Sequence, residues 1–345
     1  MRFGLLLLAL PVLLGACSKS NGPVRLDFIG ATGLTSGNRT VGAGDTLNTR
    51  AYAEGTDANL ARMRVTVKYE PTRNPIIYPT PLNSYDPSKA VNDDELVYVD
   101  SLIAPATLSR NTDGLPSGGA FLLANKFAAR TTSGTELWQY TATDANQESA
   151  TRLLRLTVRK ADSAAVYHSY TIRFRPVVPT ATPPANSAQL RDQALVFLNL
   201  HSGLLLPKYA LINNSGTVQG NQQLIDLICV ASSTTSIALL APADVQSLRL
   251  NPSTWPPANR RPTQLRATTL NGNGFSGAVT AASFDAAFAA GTAFSDPFST
   301  GALQAGQVIA FQVTENGQDY RGLLLVSGIV AGSAPLVTCQ VKVQK

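Results

Sequence analysis

The chain has 345 residues, 44% of them hydrophobic and 14% charged, with 26 glycines, 21 prolines and a formal net charge of +6. That length is enough for two domains with cores of their own, and a low charge content with many turn formers suits an extracytoplasmic β protein. The cations are not concentrated: residues 24–178 hold 17 basic and 15 acidic side chains, and residues 188–345 hold 9 and 7, which argues against a nucleic-acid-binding surface.

At the start, Met1-Arg2 leads an apolar run over residues 3–14, followed by Gly15, Ala16 and Cys17. One cation, a short apolar run and small residues are the parts of a secretory signal. As a helix the run rises roughly 18 Å, short of the about 30 Å of a hydrocarbon core, so it is not expected to span a membrane. Leu14-Gly15-Ala16-Cys17 resembles the lipobox of bacterial lipoproteins, which implies cleavage before Cys17 and acylation of that residue. Several acyl chains, at roughly 0.8 kcal/mol per buried methylene, hold a protein at a bilayer. Such lipoproteins retained at the inner membrane carry an aspartate where Ser18 stands, and some surface-exported ones carry an acidic cluster where Ser18-Lys19-Ser20 stands. The resemblance therefore implies the outer membrane, on its periplasmic or surface side.

After a polar tether over residues 18–23, strands follow one another. Residues 60–69 alternate, with Ala61, Met63, Val65, Val67 and Tyr69 on one face and Arg62, Arg64, Thr66 and Lys68 on the other. That is the pattern of a half-buried strand. Residues 151–160 and 166–175 repeat it, the latter placing Val166, His168, Tyr170, Ile172 and Phe174 together. Further strands are expected at 25–29, 45–53, 96–102, 120–128 and 136–143. Seven or eight strands in about 150 residues predict a β-sandwich over residues 24–175. Two long connections interrupt it, at 71–94 and 109–119; loops of that length are usually functional or disordered.

Pro176-Val177-Val178-Pro179-Thr180-Ala181-Thr182-Pro183-Pro184 reads as a semi-rigid linker, so residues 176–187 are taken as the boundary and 188–345 as a second β-rich module. Strands are expected there at 194–200 and 224–230. Thr280 or Ser283 could cap one short helix that Gly291 ends. The last forty residues read as an antiparallel meander: Ile309, Phe311 and Val313 face inward, Asn316-Gly317 turns the chain, residues 320–330 form a central strand, and Val337, Cys339, Val341 and Val343 alternate with polar neighbours.

The arrangement resembles a recurrent type of uncharacterised bacterial lipoprotein that pairs an immunoglobulin-like module with a small β-rich one. The matching residues are Gly134-Thr135-Glu136-Leu137-Trp138-Gln139-Tyr140-Thr141-Ala142-Thr143-Asp144, Ala305-Gly306-Gln307-Val308-Ile309-Ala310-Phe311 and Val341-Lys342-Val343-Gln344-Lys345. The resemblance implies no catalytic residue.

The chemical inventory is sparse. Cys229 and Cys339 either pair as a disulfide, closing a loop worth up to about 4.7 kcal/mol in the chain-entropy model, or stay as buried thiols. His168 reads as a core or rim residue and His201 as a turn residue, and neither accompanies a nucleophile elbow or a set of zinc ligands. Asp93-Asp94-Glu95 is a weak calcium candidate without calcium-loop spacing, more simply a solvated turn. Asp226 is expected on an edge strand with its carboxylate outward. Trp138 reads as core. Tyr78, Tyr85 and Trp255 are candidate ligand contacts, Trp255 being either an exposed stacking surface or a plug for its own module. No cofactor is expected. The function expected is a lipid-anchored, non-enzymatic binding or accessory module for a glycan or envelope protein. The alternatives are a structural envelope or assembly component and, more remotely, a glycosidase using carboxylates such as Asp93, Asp94 or Asp226.

Overall fold

A computed structural model of the chain describes residues 22–76, 95–103, 119–160, 166–180, 184–213, 215–244, 247–248 and 250–345. Nine strands come first: β1 (Val24–Phe28), β2 (Arg39–Val41), β3 (Thr46–Gly55), β4 (Leu60–Glu70), β5 (Glu95–Leu102), β6 (Ala120–Ala128), β7 (Gly134–Asp144), β8 (Ser149–Val158) and β9 (Tyr167–Phe174). Then follow α1 (Ser187–Asp192), β10 (Leu195–Leu198), β11 (Leu205–Pro207), β12 (Leu227–Ala231), β13 (Ile237–Leu240) and β14 (Gln264–Ala267). The chain ends with α2 (Gly272–Gly277), α3 (Ala281–Ala290), β15 (Thr292–Ala293), β16 (Val308–Glu315), β17 (Gln318–Val330) and β18 (Leu336–Gln344). The protein is mainly β, and among the described residues no helix is long and apolar enough to cross a membrane.

The first module is a two-layer sandwich of immunoglobulin type. A three-stranded sheet in the order β1-β3-β6 faces a five-stranded sheet in the order β2-β8-β7-β4-β5. The short β2, invisible to periodicity, runs parallel to β8. The alternation of residues 60–69 is realised: Met63, Val65, Val67 and Tyr69 are buried, and Tyr98, Phe127 and Trp138 pack ring to ring beneath them, with Trp138 at 4.7 Å from Tyr98 and 4.0 Å from Phe127.

The second module holds a four-stranded sheet, β11-β10-β12-β13, and a six-stranded one, β15-β14-β16-β17-β18-β9. The expected meander β16-β17-β18 is its centre. Asn316 and Gly317 make the turn with φ of 53° and 78°, the left-handed pair such a hairpin requires. Leu324 and Val326 of β17 face the main core while Leu323 and Leu325 face Phe275, Phe284 and Phe288 of α2 and α3, which is why this strand is apolar on both sides. Thr280 and Ser283 form the cap of α3 together, each side chain bonded to the other's backbone N–H at 3.1 Å. Among the described residues three α-helices stand where one was expected.

The module boundary expected at residues 176–187 moves. Strand β9 has the predicted alternation, but it pairs with β18, not with the sandwich. Phe174, Ile172, Tyr170 and His168 stand opposite Val337, Cys339, Val341 and Val343, so two matching apolar faces zip together. The crossing into the second module therefore falls between β8 and β9. Pro176 and Val178 of the expected linker are themselves buried.

Candidate functional site

Strands β5 and β6 are the outer strands of the two sandwich sheets, so on that side the sandwich has an open seam. The second module plugs one half of it. The Tyr209 hydroxyl accepts from Lys126 N at 3.1 Å and lies 2.6 Å from Lys126 O and 2.7 Å from Asn125 Oδ1. Asn221 Nδ2 donates to Val97 O at 2.8 Å, and Asn213 Nδ2 to Asp100 O at 2.9 Å. Side chains of one module thus satisfy edge backbone of the other, the covering that exposed strand edges need.

The other half of the seam is a cleft of about 510 Å³. Val99, Phe121, Leu123 and Ile212 supply its apolar walls, and Ser101, Gln189, Gln193 and Asn213 its polar groups. Leu102 stands 68% exposed among the lining residues. Asn213 Oδ1 is buried without a hydrogen-bond partner. The lining holds two carboxylates. Asp100 is clamped by Arg62 through two bonds of 2.6 and 2.5 Å, a hydrogen bond that holds its carboxyl below the ordinary range. Asp192 pairs with Lys208 at 3.0 Å. A cleft of mixed apolar and polar lining, with its two carboxylates neutralised, has the chemistry of a binding site.

A second polar assembly lies inside the second module, where reading the sequence missed it. His201 Nδ1 lies 2.6 Å from Glu315 Oε2. Arg261 reaches Glu315 Oε1 at 3.5 Å and Asp226 Oδ1 at 2.8 Å. Asp226 Oδ2 accepts from Leu200 N at 2.7 Å. Burial raises the Asp226 carboxyl above its ordinary value in spite of Arg261. Burial opposes the ionisation of Glu315 too, but the His201 hydrogen bond and the charges of His201, Arg261 and Arg73 outweigh it and hold that carboxyl low. The acids, His201 Nδ1 and the guanidinium are engaged with one another, while His201 Nε2 is buried without a hydrogen-bond partner, and the arrangement orders the turn at 199–203. The available signal was Asp226 itself: an acid inside Leu224-Ile225-Asp226-Leu227-Ile228 must be paired when that run is buried.

The expected edge position of Asp226 is therefore corrected: it precedes β12, an inner strand of its sheet, and is fully buried. Trp255 is corrected as well. It is 0% exposed, its ring lies 5.8 Å from Phe197, and its Nε1 donates to Asn259 O at 3.1 Å, so it is the plug and not a ligand contact. Cys229 and Cys339 are unbonded buried thiols, on strands of different sheets yet near enough for the Cys339 charge to act on Cys229. Burial pushes Cys339 up to about 12 and Cys229 well above its ordinary value. Tyr78, Tyr85, Asp93 and Asp94 lie outside the described residues, as does Cys17. Glu95 is exposed at the start of β5, and among the described residues no group of three or more His, Cys, Asp or Glu could hold a metal ion. His168 is buried in the joint between the modules. The Thr131 hydroxyl gives its one proton to Ser202 O at 2.5 Å, so the 3.0 Å contact to His168 Nε2 has the imidazole N–H as donor.

No protein-family model matches the chain, and no curated protein matches it in sequence. Among solved structures it is similar to a DUF4466 family protein from Parabacteroides merdae, at 12% identity and a TM-score of 0.34, over 93% of this chain and 98% of that one. It is also similar to a β-glucosidase from Listeria innocua (8% identity, TM-score 0.22, 40% of this chain and 16% of that one). A chitin binding domain from Burkholderia pseudomallei matches at 13% identity and a TM-score of 0.21, over 35% of this chain and 57% of that one. Likenesses this loose carry no argument about activity.

Proposed function

We propose that the chain is a lipid-anchored outer-membrane lipoprotein whose body is a non-enzymatic binding or accessory module for a glycan or protein ligand. The anchor rests on Cys17 behind Leu14-Gly15-Ala16 and on the polar tether that follows. The binding reading rests on one observation: the sandwich seam is plugged along half its length by Tyr209, Asn213 and Asn221 and left as a cleft of about 510 Å³ along the rest. The non-enzymatic reading is supported by the mutual engagement of His201, Glu315, Arg261 and Asp226.

The test presents the mature chain to a glycan array and to an extract of cell envelopes, beside a Ser101→Trp variant that fills the cleft from an outer strand. The native chain is expected to retain a ligand that the variant loses. Silence of the native chain in both assays, or equal retention by the variant, overturns the reading.

A further inference from the structure

The strand edge along the cleft is built to be paired. In β6 the N–H and C=O of Lys126 both point away from β3, because both meet Tyr209. Antiparallel pairing alternates, so Leu122 and Ala124 turn their N–H and C=O to the same open side. Among the described residues no hydrogen bond reaches those four groups. The rest of the seam has its edge groups covered by side chains, as at Lys126, Val97 and Asp100.

Natural sheets guard an uncovered edge with charge, proline, a bulge or extreme shortness. None of these protects residues 120–124, which read Ala-Phe-Leu-Leu-Ala and pair with β3 without a register shift. Leu122 is 53% exposed and Leu102, across the cleft, 68%.

We infer that the β6 edge at Leu122 and Ala124 takes an extended, uncharged peptide segment of an envelope protein as an added strand. This rests on the reading of the cleft as the ligand site and names its ligand class. Two donors and two acceptors, alternating at the strand repeat, match a peptide main chain; an oligosaccharide has no such repeat. Phe121 and Leu123 lie beside them as an apolar surface for alternate side chains. Charge selects against lysine, arginine, aspartate and glutamate in the segment, because Asp100 and Asp192 already have their cations in Arg62 and Lys208.

The test uses the full mature chain in detergent and a library of capped nonapeptides in which valine, isoleucine or threonine alternates with serine. Binding is read by fluorescence anisotropy, and amide hydrogen exchange is followed at Leu122 and Ala124. Leu122→Pro removes one outward N–H without touching the ladder to β3, a placement that edge strands tolerate; Leu122→Thr keeps it. Library members are expected to bind, to slow exchange at Leu122 and Ala124 at least ten-fold, to lose at least ten-fold in affinity with Leu122→Pro, and to stay within about three-fold with Leu122→Thr. If Leu122→Pro does not fold, the exchange measurement on the native chain decides alone. Absence of peptide binding, equal affinity for Leu122→Pro, or protection that rises with protein concentration without peptide (a second copy on the edge) overturns the inference. A neutral oligosaccharide that binds where the peptides do not overturns the strand and leaves the cleft reading standing; failure of both ligand classes removes both.

Discussion

His201 Nδ1 and Glu315 Oε2 lie 2.6 Å apart across 114 residues of sequence, with the imidazole stacked on Tyr320 at 4.0 Å. The pair joins the turn after β10 to the end of β16. Since the Glu315 carboxyl is held below its ordinary 4.5, the folded chain binds fewer protons there than the unfolded chain. Its contribution to stability is whole above that ordinary value and is lost as pH falls through the folded one. Glu315→Gln is expected to cost about 1–3 kcal/mol near neutral pH, and denaturant melts should show a smaller loss for the variant than for the native chain between about pH 6 and pH 3. Parallel curves over that interval would sink the assignment.

His168 stays neutral through the pH range in which an exposed histidine takes up its proton. Burial, with the charge of Lys160 next, pushes its pKa from 6.5 down to about 2, and its N–H is already engaged at Thr131. The unfolded chain takes up this proton near pH 6.5 and the folded chain does not, so stability drops as pH falls below that point, by at most about 1.4 kcal/mol per pH unit from this residue. Magnetic-resonance titration of the folded chain is expected to leave the His168 ring signals unmoved from pH 7 to pH 4. A midpoint close to 6.5 contradicts the buried joint.

Trp255 tests the plug against the stacking surface. Trp255→Ala is expected to destabilise the chain by about 3–5 kcal/mol through lost burial and the cavity left behind, while Trp255→Phe keeps part of the contact with Phe197 and loses less. Stability is read by chemical denaturation. A stability unchanged by Trp255→Ala, together with lost ligand retention, would return this residue to the surface.

Cys229 and Cys339 are expected to react with a maleimide only after unfolding. Both are buried, and burial keeps both protonated at neutral pH, so neither offers a thiolate. Intact-mass measurement should show two alkylations in denaturant without reductant and none in buffer. A mass two protons lighter, with no alkylation until reduction, restores the disulfide.

Local patterns were legible and partnerships were not. Alternation in residues 60–69, the capping pair Thr280 and Ser283, and the Asn316-Gly317 turn each depend on neighbours within one element, and the structure realises all three. Alternation also located β9, yet it carries no information on which sheet completes the strand; the matching face came from Val337, Cys339, Val341 and Val343, some 170 residues on. The same limit hid the charged assembly, since His201, Asp226, Arg261 and Glu315 stand on four separate segments. The cleft was equally hidden, because its walls come from the edges of two sheets and from α1, a helix too short to have its own apolar face. Trp255 misleads for a related reason: prolines around it suggest an open loop, and only its contact with Phe197 shows the loop folded inward.

The most direct test of the binding seam is an amide-exchange footprint of the mature chain with and without an envelope extract, residue by residue over β4 to β6. Slowed exchange confined to Leu102, Leu122 and Ala124, abolished by Ser101→Trp, is the expected result. Exchange unchanged along that seam, while protection arises on another face of the protein, would contradict it.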